Sequence, residues 1–393
     1  MIRRKNLLLI SIDCLRWDAV GHFGKLDRWE GRSLTPAIDA LASEAAAFPM
    51  TVTAAPFTTP SHASVFTGRY PFDHGVRLLV NQRLDRKSLT LPEVLTEYDR
   101  VAVPGVFVLD RASGLLRGFD TVFEIDARED IVVARGGHYR CGQRVNELFG
   151  NWLDGRKSTR PWFAFLHYFD AHSTAEDQSF ERYINGIRLI DDLLSELLSR
   201  VDLDRTVVCI FGDHGEGLGE GEAHHGMTLS ESVVRVPVII HGAGHQGVHW
   251  ELRRTIDIAP TLLGALGHAV PASMCGHGLF DERARLAYTE ACPCPLFGQD
   301  ATPSYHGPER VMLRNDRYKY ERRFDGAEQL FAVAPESNRE TELRDTELAA
   351  RVRDDFAAHF HEYPALCGRE QFDTTYLDDP KVIARLQALG YLE

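Results

Sequence analysis

The chain predicts an α/β fold built on a large, mostly parallel sheet sandwiched by helices. Three observations lead there. Runs at 6–12, 162–167 and 206–212 are continuously apolar and of strand length, which suits parallel strands buried on both faces. Each run ends in side chains that carry chemistry, namely Asp13, His167 and Asp213. Open α/β sheets gather ligands at the carboxyl ends of their strands. Helical periodicity separates the runs, most clearly at 183–198, where Ile184, Ile187, Ile190, Leu194 and Leu197 fall on one stripe.

Taken in order, 6–12 is the first strand. Residues 36–48 carry Ile38, Leu41, Ala42 and Ala45 at helical spacing and predict the first crossover helix. A helix is expected over 89–97, opened by Pro92. A strand follows over 101–109, placed near an edge or a bulge by Pro104. Helix returns over 139–153, then the strand 162–167, the helix 183–198, the strand 206–212, a further strand at 236–241 and a helix over 256–264. From Ala287 the character changes. Short β-runs at 311–314 and 317–323 flank a tight Asn315-Asp316 turn. Residues 329–331 continue the pattern, before a helical stretch over 346–361 and a tail at 389–392. The expected division is a catalytic domain, 1–285, and a smaller C-terminal subdomain, 286–393.

The 393 residues carry a formal net charge of −13, which argues against nucleic acid as a bulk electrostatic partner. An anionic substrate would then need a metal or a local cluster of cations. The basic start followed by an apolar run is too short for a secretion signal and ends in Asp13 without a cleavage site. No stretch approaches the roughly 18 apolar residues of a span, so a soluble cytoplasmic protein without a membrane partner is expected. The seven cysteines are odd in number and scattered. Cys292-Pro293-Cys294 reads as a loop feature rather than a zinc ribbon.

The stretch that organises the rest is Thr58-Thr59-Pro60-Ser61-His62, followed by Thr67-Gly68. Pro60 suits the first turn of a helix. A hydroxyl just ahead of it lies where unpaired amides and the helix dipole favour an oxyanion. The plainer alternative is that Thr58 or Thr59 only caps the helix. His167, Asp170 and His172 stand together at one strand end, and Asp213-His214-Gly215-Glu216 closes another, before a glycine-rich loop. Clefts collect such groups.

This pattern resembles the sulfatase and alkaline phosphatase superfamily over essentially the whole chain. The sulfatase segment reads C/S-x-P-S-R and then T-G. Here Thr58 takes the place of the Cys or Ser, and His62 that of the Arg. The D-H-G-E run, His225-Gly226, Arg235-Val236-Pro237 and the run 256–264 match as well, and the change after Ala287 resembles the family's smaller antiparallel subdomain. The resemblance implies metal ligands at Asp13, Thr58, Asp213 and His214, with Thr58 also the nucleophile. It implies catalytic or substrate-contacting roles for His172 and His225. His62, His167 and Asp170 are further substrate-binding candidates. A second acid would normally follow the first Asp; Cys14 stands there, and is read as core packing. One strong divalent site is expected, with Mn²⁺ or Zn²⁺ ahead of Mg²⁺ or Ca²⁺. A second could be held by Asp170, His172 and His225.

Thr58 bears on the substrate. True sulfatases oxidise Cys or Ser to formylglycine, and Thr cannot form that aldehyde. A Thr alkoxide can be phosphorylated and then released by water. The expected activity is therefore metal-dependent hydrolysis of a small anionic phosphate mono-, di- or phosphonate ester. Open alternatives are a sulfatase acting without formylglycine, a phosphoryl transferase or mutase, and a non-catalytic binding protein. Loops 21–33, 73–88, 174–181 and 292–308 are expected to line the cleft. Oligomeric state is not legible.

Overall fold

Side chains alternate across a strand, so a doubly buried strand must find an apolar partner on each face. The central strand does so. Leu7 and Leu9 enter one core, with Phe163, Phe165 and Phe211. Leu8, Ile10 and Ile12 enter the other, with Ala164, Leu166 and Ile210. The computed structural model describes residues 4–80, 82–109, 111–125, 139–172, 179–283, 285–292, 310–323, 325–344 and 347–359. Residues 174–178 and 293–308 of the expected cleft loops, the tail at 389–392, Cys294 and Cys367 lie outside them.

The elements begin β1 (Asn6–Ile12), α1 (Pro36–Ser43), β2 (Ala46–Val52), α2 (Thr58–Thr67), α3 (Pro71–His74), α4 (Leu91–Val94), β3 (Asp99–Val103), β4 (Thr121–Val122) and α5 (Gly142–Asp154). The middle of the chain gives β5 (Trp162–Tyr168), α6 (Phe180–Ser199), β6 (Thr206–Gly212), α7 (Glu231–Val234), β7 (Arg235–His241), β8 (Gly247–Val248), β9 (Arg253–Arg254) and α8 (Ile258–Ala265). It ends with β10 (Ala287–Ala291), β11 (Arg310–Arg314), β12 (Tyr318–Arg323), β13 (Glu328–Val333), β14 (Glu340–Glu342) and α9 (Glu347–His359).

The main sheet runs β4-β3-β5-β1-β6-β7-β2-β8, with β9 also paired to β2. Strands β4, β3, β5, β1 and β6 are parallel, while β7 is antiparallel to both β6 and β2. Helices α2 and α8 cover one face and α1, α5 and α6 the other. The second sheet, β10 to β14, is wholly antiparallel. It packs Tyr288, Val311 and Leu313 against Ala54, Tyr70 and Ile256 of the main body.

Three sequence expectations change. The helix expected over 36–48 stops at Ser43, and β2 follows from Ala46. Ala46, Ala47 and Phe48 suit a helical stripe as well as a strand, and pairing with β7 decides for the strand. Pro49 then sits in a register shift between Phe48 and Thr51, where a missing donor is tolerated. The strand expected over 101–109 ends at Val103, before Pro104, and a 3-10 turn takes Phe107–Leu109. The helix expected over 89–97 shortens to Leu91–Val94.

Sheet register places the site. Ile12 pairs with Tyr168 on one side and with Gly212 on the other. The residues that follow β1, β5 and β6 therefore leave the sheet at one level. The amide of Asp13 continues the ladder by donating to the Tyr168 carbonyl at 2.9 Å.

Candidate functional site

Thr58 is the first residue of α2, and the cap position before it is Phe57, which offers no side-chain cap. The two threonines separate cleanly. Thr59 Oγ1 donates to the Leu79 carbonyl at 2.6 Å. Thr58 Oγ1 donates to Asp13 Oδ2 at 3.2 Å and lies 3.5 Å from His214 Nε2. Thr58 thus faces the strand ends instead of capping its own helix.

Asp213 is anchored through its backbone. Its carbonyl accepts from Thr53 Oγ1 and Ser61 Oγ, each at 2.7 Å, which ties the end of β6 to the first turn of α2. Its Oδ1 accepts the amides of His214 at 2.9 Å and Cys14 at 3.3 Å, while Oδ2 accepts no hydrogen bond among the described residues. The ring of His214 is oriented by donation from Nδ1 to the Gly215 carbonyl at 3.0 Å. Nε2 is left as an acceptor, 3.5 Å from Asp213 Oδ2 and 3.8 Å from Asp13 Oδ1.

Asp13, Asp213 and His214 present ligand atoms within 4.8 Å of one another, and all three are fully buried. Burial opposes ionisation of Asp13, but contact with His167 and the charge of His214 overcome it and hold Asp13 well below the usual carboxylate range. Asp213 goes the other way, raised by burial and then by the charge of Asp13. Burial pushes His214 down to about 4. Two carboxylates, with one oxygen of Asp213 left without a hydrogen-bond donor among the described residues, and an imidazole presenting a lone pair form a donor set that fits a divalent cation.

The other candidates divide. His172 is stacked on Phe169 with ring centroids 4.3 Å apart, and its ring meets that of His225 at 5.0 Å. His225 lies beside His214 at 4.3 Å and places Nδ1 3.3 Å from Glu216 Oε2. Burial would lower its pKa, but Glu216 outweighs burial and pushes it up to about 9. His167 sets Nε2 3.3 Å from Asp13 Oδ2 and accepts the Gly105 amide at Nδ1, 3.3 Å away. A side chain at Gly105 would meet the His167 carbonyl at 2.5 Å, so glycine is what allows this approach.

Two expectations are displaced. His62, read as substrate-binding, is fully buried with both ring nitrogens engaged. Nδ1 donates to the Thr58 carbonyl at 2.7 Å and Nε2 accepts from Ser11 Oγ at 2.8 Å. It braces the start of α2 rather than facing a substrate, and burial drops its pKa to about 3. Asp170, read as substrate-binding and as a ligand of a second ion, turns both oxygens to the Gly142 amide, at 2.9 and 3.2 Å. It stabilises the N-terminus of α5 and belongs to none of the ligand groupings found among the described residues.

Two residues gain a place that the sequence had not suggested. Glu216, 2% exposed, is the partner that charges His225. Cys14, read as core packing, packs against the core and also reaches the cluster, with Sγ 3.1 Å from Asp13 Oδ1 and 3.7 Å from His225 Nδ1. Its backbone takes φ +61, a conformation uncommon outside glycine. The strand-end position of Glu216 was a legible signal; the turn that aims Cys14 was not.

A mostly parallel sheet between helices, with carboxylates, imidazoles and a helix-terminal hydroxyl at its central strand ends, defines a hydrolase of the sulfatase and alkaline phosphatase superfamily. The chain belongs to the Sulfatase family, whose model matches residues 5–268. Delta 4,5-hexuronate-2-O-sulfatase of Bacteroides thetaiotaomicron is 24% identical, over 82% of this chain and 81% of its own. The multifunctional alkaline phosphatase superfamily protein PehA of Trinickia caryophylli is 24% identical, over 70% and 76%. The solved structure of BT1596, a 2-O GAG sulfatase, shares the fold with a TM-score of 0.71 at 20% identity, over 92% of each chain. Members of the superfamily generally use a divalent metal ion, and the donor set here fits one.

Proposed function

We propose that the protein hydrolyses small anionic phosphorus esters with Thr58 as nucleophile and Asp13, Thr58, Asp213 and His214 as the metal-holding set. The observation that carries this reading is the place of the Thr58 hydroxyl, 3.2 Å from Asp13 Oδ2 and 3.5 Å from His214 Nε2, at a helix N-terminus. A divalent ion in this set supplies Lewis-acid charge that lowers the hydroxyl pKa and offsets charge on the ester's non-bridging oxygens.

The chain's own residues do the rest. Asp13 accepts the Thr58 hydrogen bond and directs the oxygen lone pair toward the cleft. Thr58 reacts as the alkoxide, its proton having left to solvent, and its oxygen forms a bond to phosphorus as the bond from phosphorus to the leaving oxygen breaks. His225, held as an imidazolium by Glu216, gives its Nε2 proton to that oxygen. Neutral His225 then takes a proton from the water whose oxygen bonds phosphorus as the bond to Thr58 breaks, which restores the Thr58 alkoxide and the imidazolium.

Several of the curated relatives that this chain matches carry sulfatase names, which favours sulfate esters as the second reading. Against it stands Thr58, which cannot become formylglycine. PehA's name, a multifunctional superfamily protein, supports testing several ester classes side by side. The test compares wild type and Thr58→Ala on aryl phosphate mono- and diester, phosphonate monoester and sulfate, with chelator and then with each metal restored. Metal-dependent phosphorus-ester cleavage that falls by about 10³-fold or more in Thr58→Ala is expected. Sulfate preferred over all three phosphorus esters would overturn the reading.

A further inference from the structure

His167, near the end of β5, is fully buried, and its two ring nitrogens face different groups. Nδ1 accepts the Gly105 amide at 3.3 Å, and a backbone amide can only donate. The proton of the neutral ring therefore sits on Nε2. Nε2 faces Asp13 Oδ2 at 3.3 Å and completes no hydrogen bond among the described residues. A buried donor left unpaired is destabilising, and Asp13 Oδ2 is an acceptor in reach. That same oxygen accepts from Thr58 Oγ1 at 3.2 Å. Against the effect of burial, contact with His167 is the first influence that holds Asp13 ionised.

By distance alone the ring also suits an ion, since His62, His167 and Asp213 bring ligand atoms within 4.8 Å of one another. The hydrogen bonds decide otherwise. His62 engages both nitrogens, with the Thr58 carbonyl at 2.7 Å and Ser11 Oγ at 2.8 Å. His167 carries a proton on Nε2, where a ligand needs a lone pair. It therefore faces the carboxylates as a donor.

We propose that His167 is a positioning residue for Asp13: its Nε2–H donates to Oδ2 and holds the carboxylate in the orientation that receives Thr58 and the metal. This rests on the metal-holding reading above, and it replaces substrate binding as the role of His167. Orienting partners behind a metal-holding side chain set both its direction and its affinity. Here the partner also acts on the nucleophile. Once Thr58 has lost its proton, its oxygen and Asp13 Oδ2 share negative charge across the 3.2 Å contact. The His167 N–H offsets part of that charge through a charge-assisted bond. Gly105 is the far end of the device, because its amide fixes which nitrogen carries the proton.

The experiment records nitrogen NMR of the full-length protein labelled at histidine, first stripped with chelator and then loaded with spin-active Cd²⁺. His167, assigned by its loss in His167→Gln, is expected to keep its proton on Nε2 in both states and to show no coupling to cadmium. His214 should show that coupling. Calorimetry then measures Cd²⁺ affinity in two variants, with near-ultraviolet circular dichroism as the check on folding. The Gln amide nitrogen reaches the place of Nε2, so His167→Gln should bind nearly as wild type does. Asn places its amide nearer Nδ1, so His167→Asn should lose about 10–100-fold in affinity. Wild-type affinity in His167→Asn would overturn the inference. Equal losses in both variants would do the same, since a packing role predicts them. A proton on Nδ1, or coupling of His167 to cadmium, would overturn it from the wild-type spectra alone, whether or not the variants fold. If the wild type binds no Cd²⁺, the metal-holding reading fails and this inference with it.

Discussion

His225 owes its charge to one neighbour. Its Nδ1 lies 3.3 Å from Glu216 Oε2 in a buried setting. Burial opposes both charges, but each stabilises the other, and the pair sits with Glu216 lowered to about 2 and His225 raised to about 9. The imidazolium therefore persists through neutral pH and is lost as pH rises through about 9. Glu216→Gln keeps the shape and removes the largest charge that opposes burial, while the charges of Asp13 and Glu222 remain. His225 is then expected to titrate well below 9, toward its ordinary value of about 6.5, and the alkaline limb of the pH–rate profile should move down with it. Proton NMR of the metal-free protein reads the titration directly. A His225 that still titrates near 9 in the variant would show that Glu216 is not the cause.

At the scale of elements, the ends of β5 and α5 show why a cluster in sequence need not be a cluster in space. His167, Asp170 and His172 lie within six residues. His167 is the sixth residue of β5 and points at Asp13, whereas Asp170 lies beyond the strand and faces the first amide of α5. Asp170→Ala is therefore expected to lower stability by about 0.5–2 kcal/mol, as loss of a capping carboxylate does, while metal stoichiometry stays that of wild type. Urea unfolding and metal titration check both halves. Loss of the bound ion in Asp170→Ala would return this residue to the site. The same scale explains what was legible. β1, β5 and β6 are continuous apolar runs, so the strands and the groups at their ends, Asp13, Asp213 and His214, could be read directly. β2 could not, because Ala46-Ala47-Phe48 fits either period and only its partner strand decides. The direction of Cys14 was hidden because it depends on one left-handed backbone angle, which composition and periodicity do not encode.

For the molecule as a whole, the two sheets are stitched together by buried charge. Arg314 on β11 forms two 2.7 Å bonds with Glu231 on α7. Arg235 on β7 reaches the Pro335 and Ser337 carbonyls of the second sheet's loop. Acid stability then depends on which groups change protonation on unfolding. His62 and His74 are fully buried, and burial lowers each to about 3. In the unfolded chain they titrate near 6.5. Above that pH both states hold them neutral and no penalty exists. As pH falls below it, the unfolded chain binds protons that the folded protein refuses, so each histidine costs about 1.4 kcal/mol per pH unit, until the folded form also titrates near 3. Asp170 and Asp191, raised to about 6 chiefly by burial, act oppositely and soften the decline below that pH. The contribution of one histidine is isolated by comparing wild type with His74→Gln, which lies away from the cluster and bonds Ser64 Oγ and the Val76 amide. The variant starts less stable at pH 7.5, because Gln fits those partners less well. Between pH 6 and 4 its deficit should shrink by about 1.4 kcal/mol per unit, since wild type alone carries the His74 penalty. Urea unfolding of the metal-free proteins at three pH values measures that slope, and a deficit independent of pH would show that His74 is protonated in the folded state as readily as in the unfolded chain.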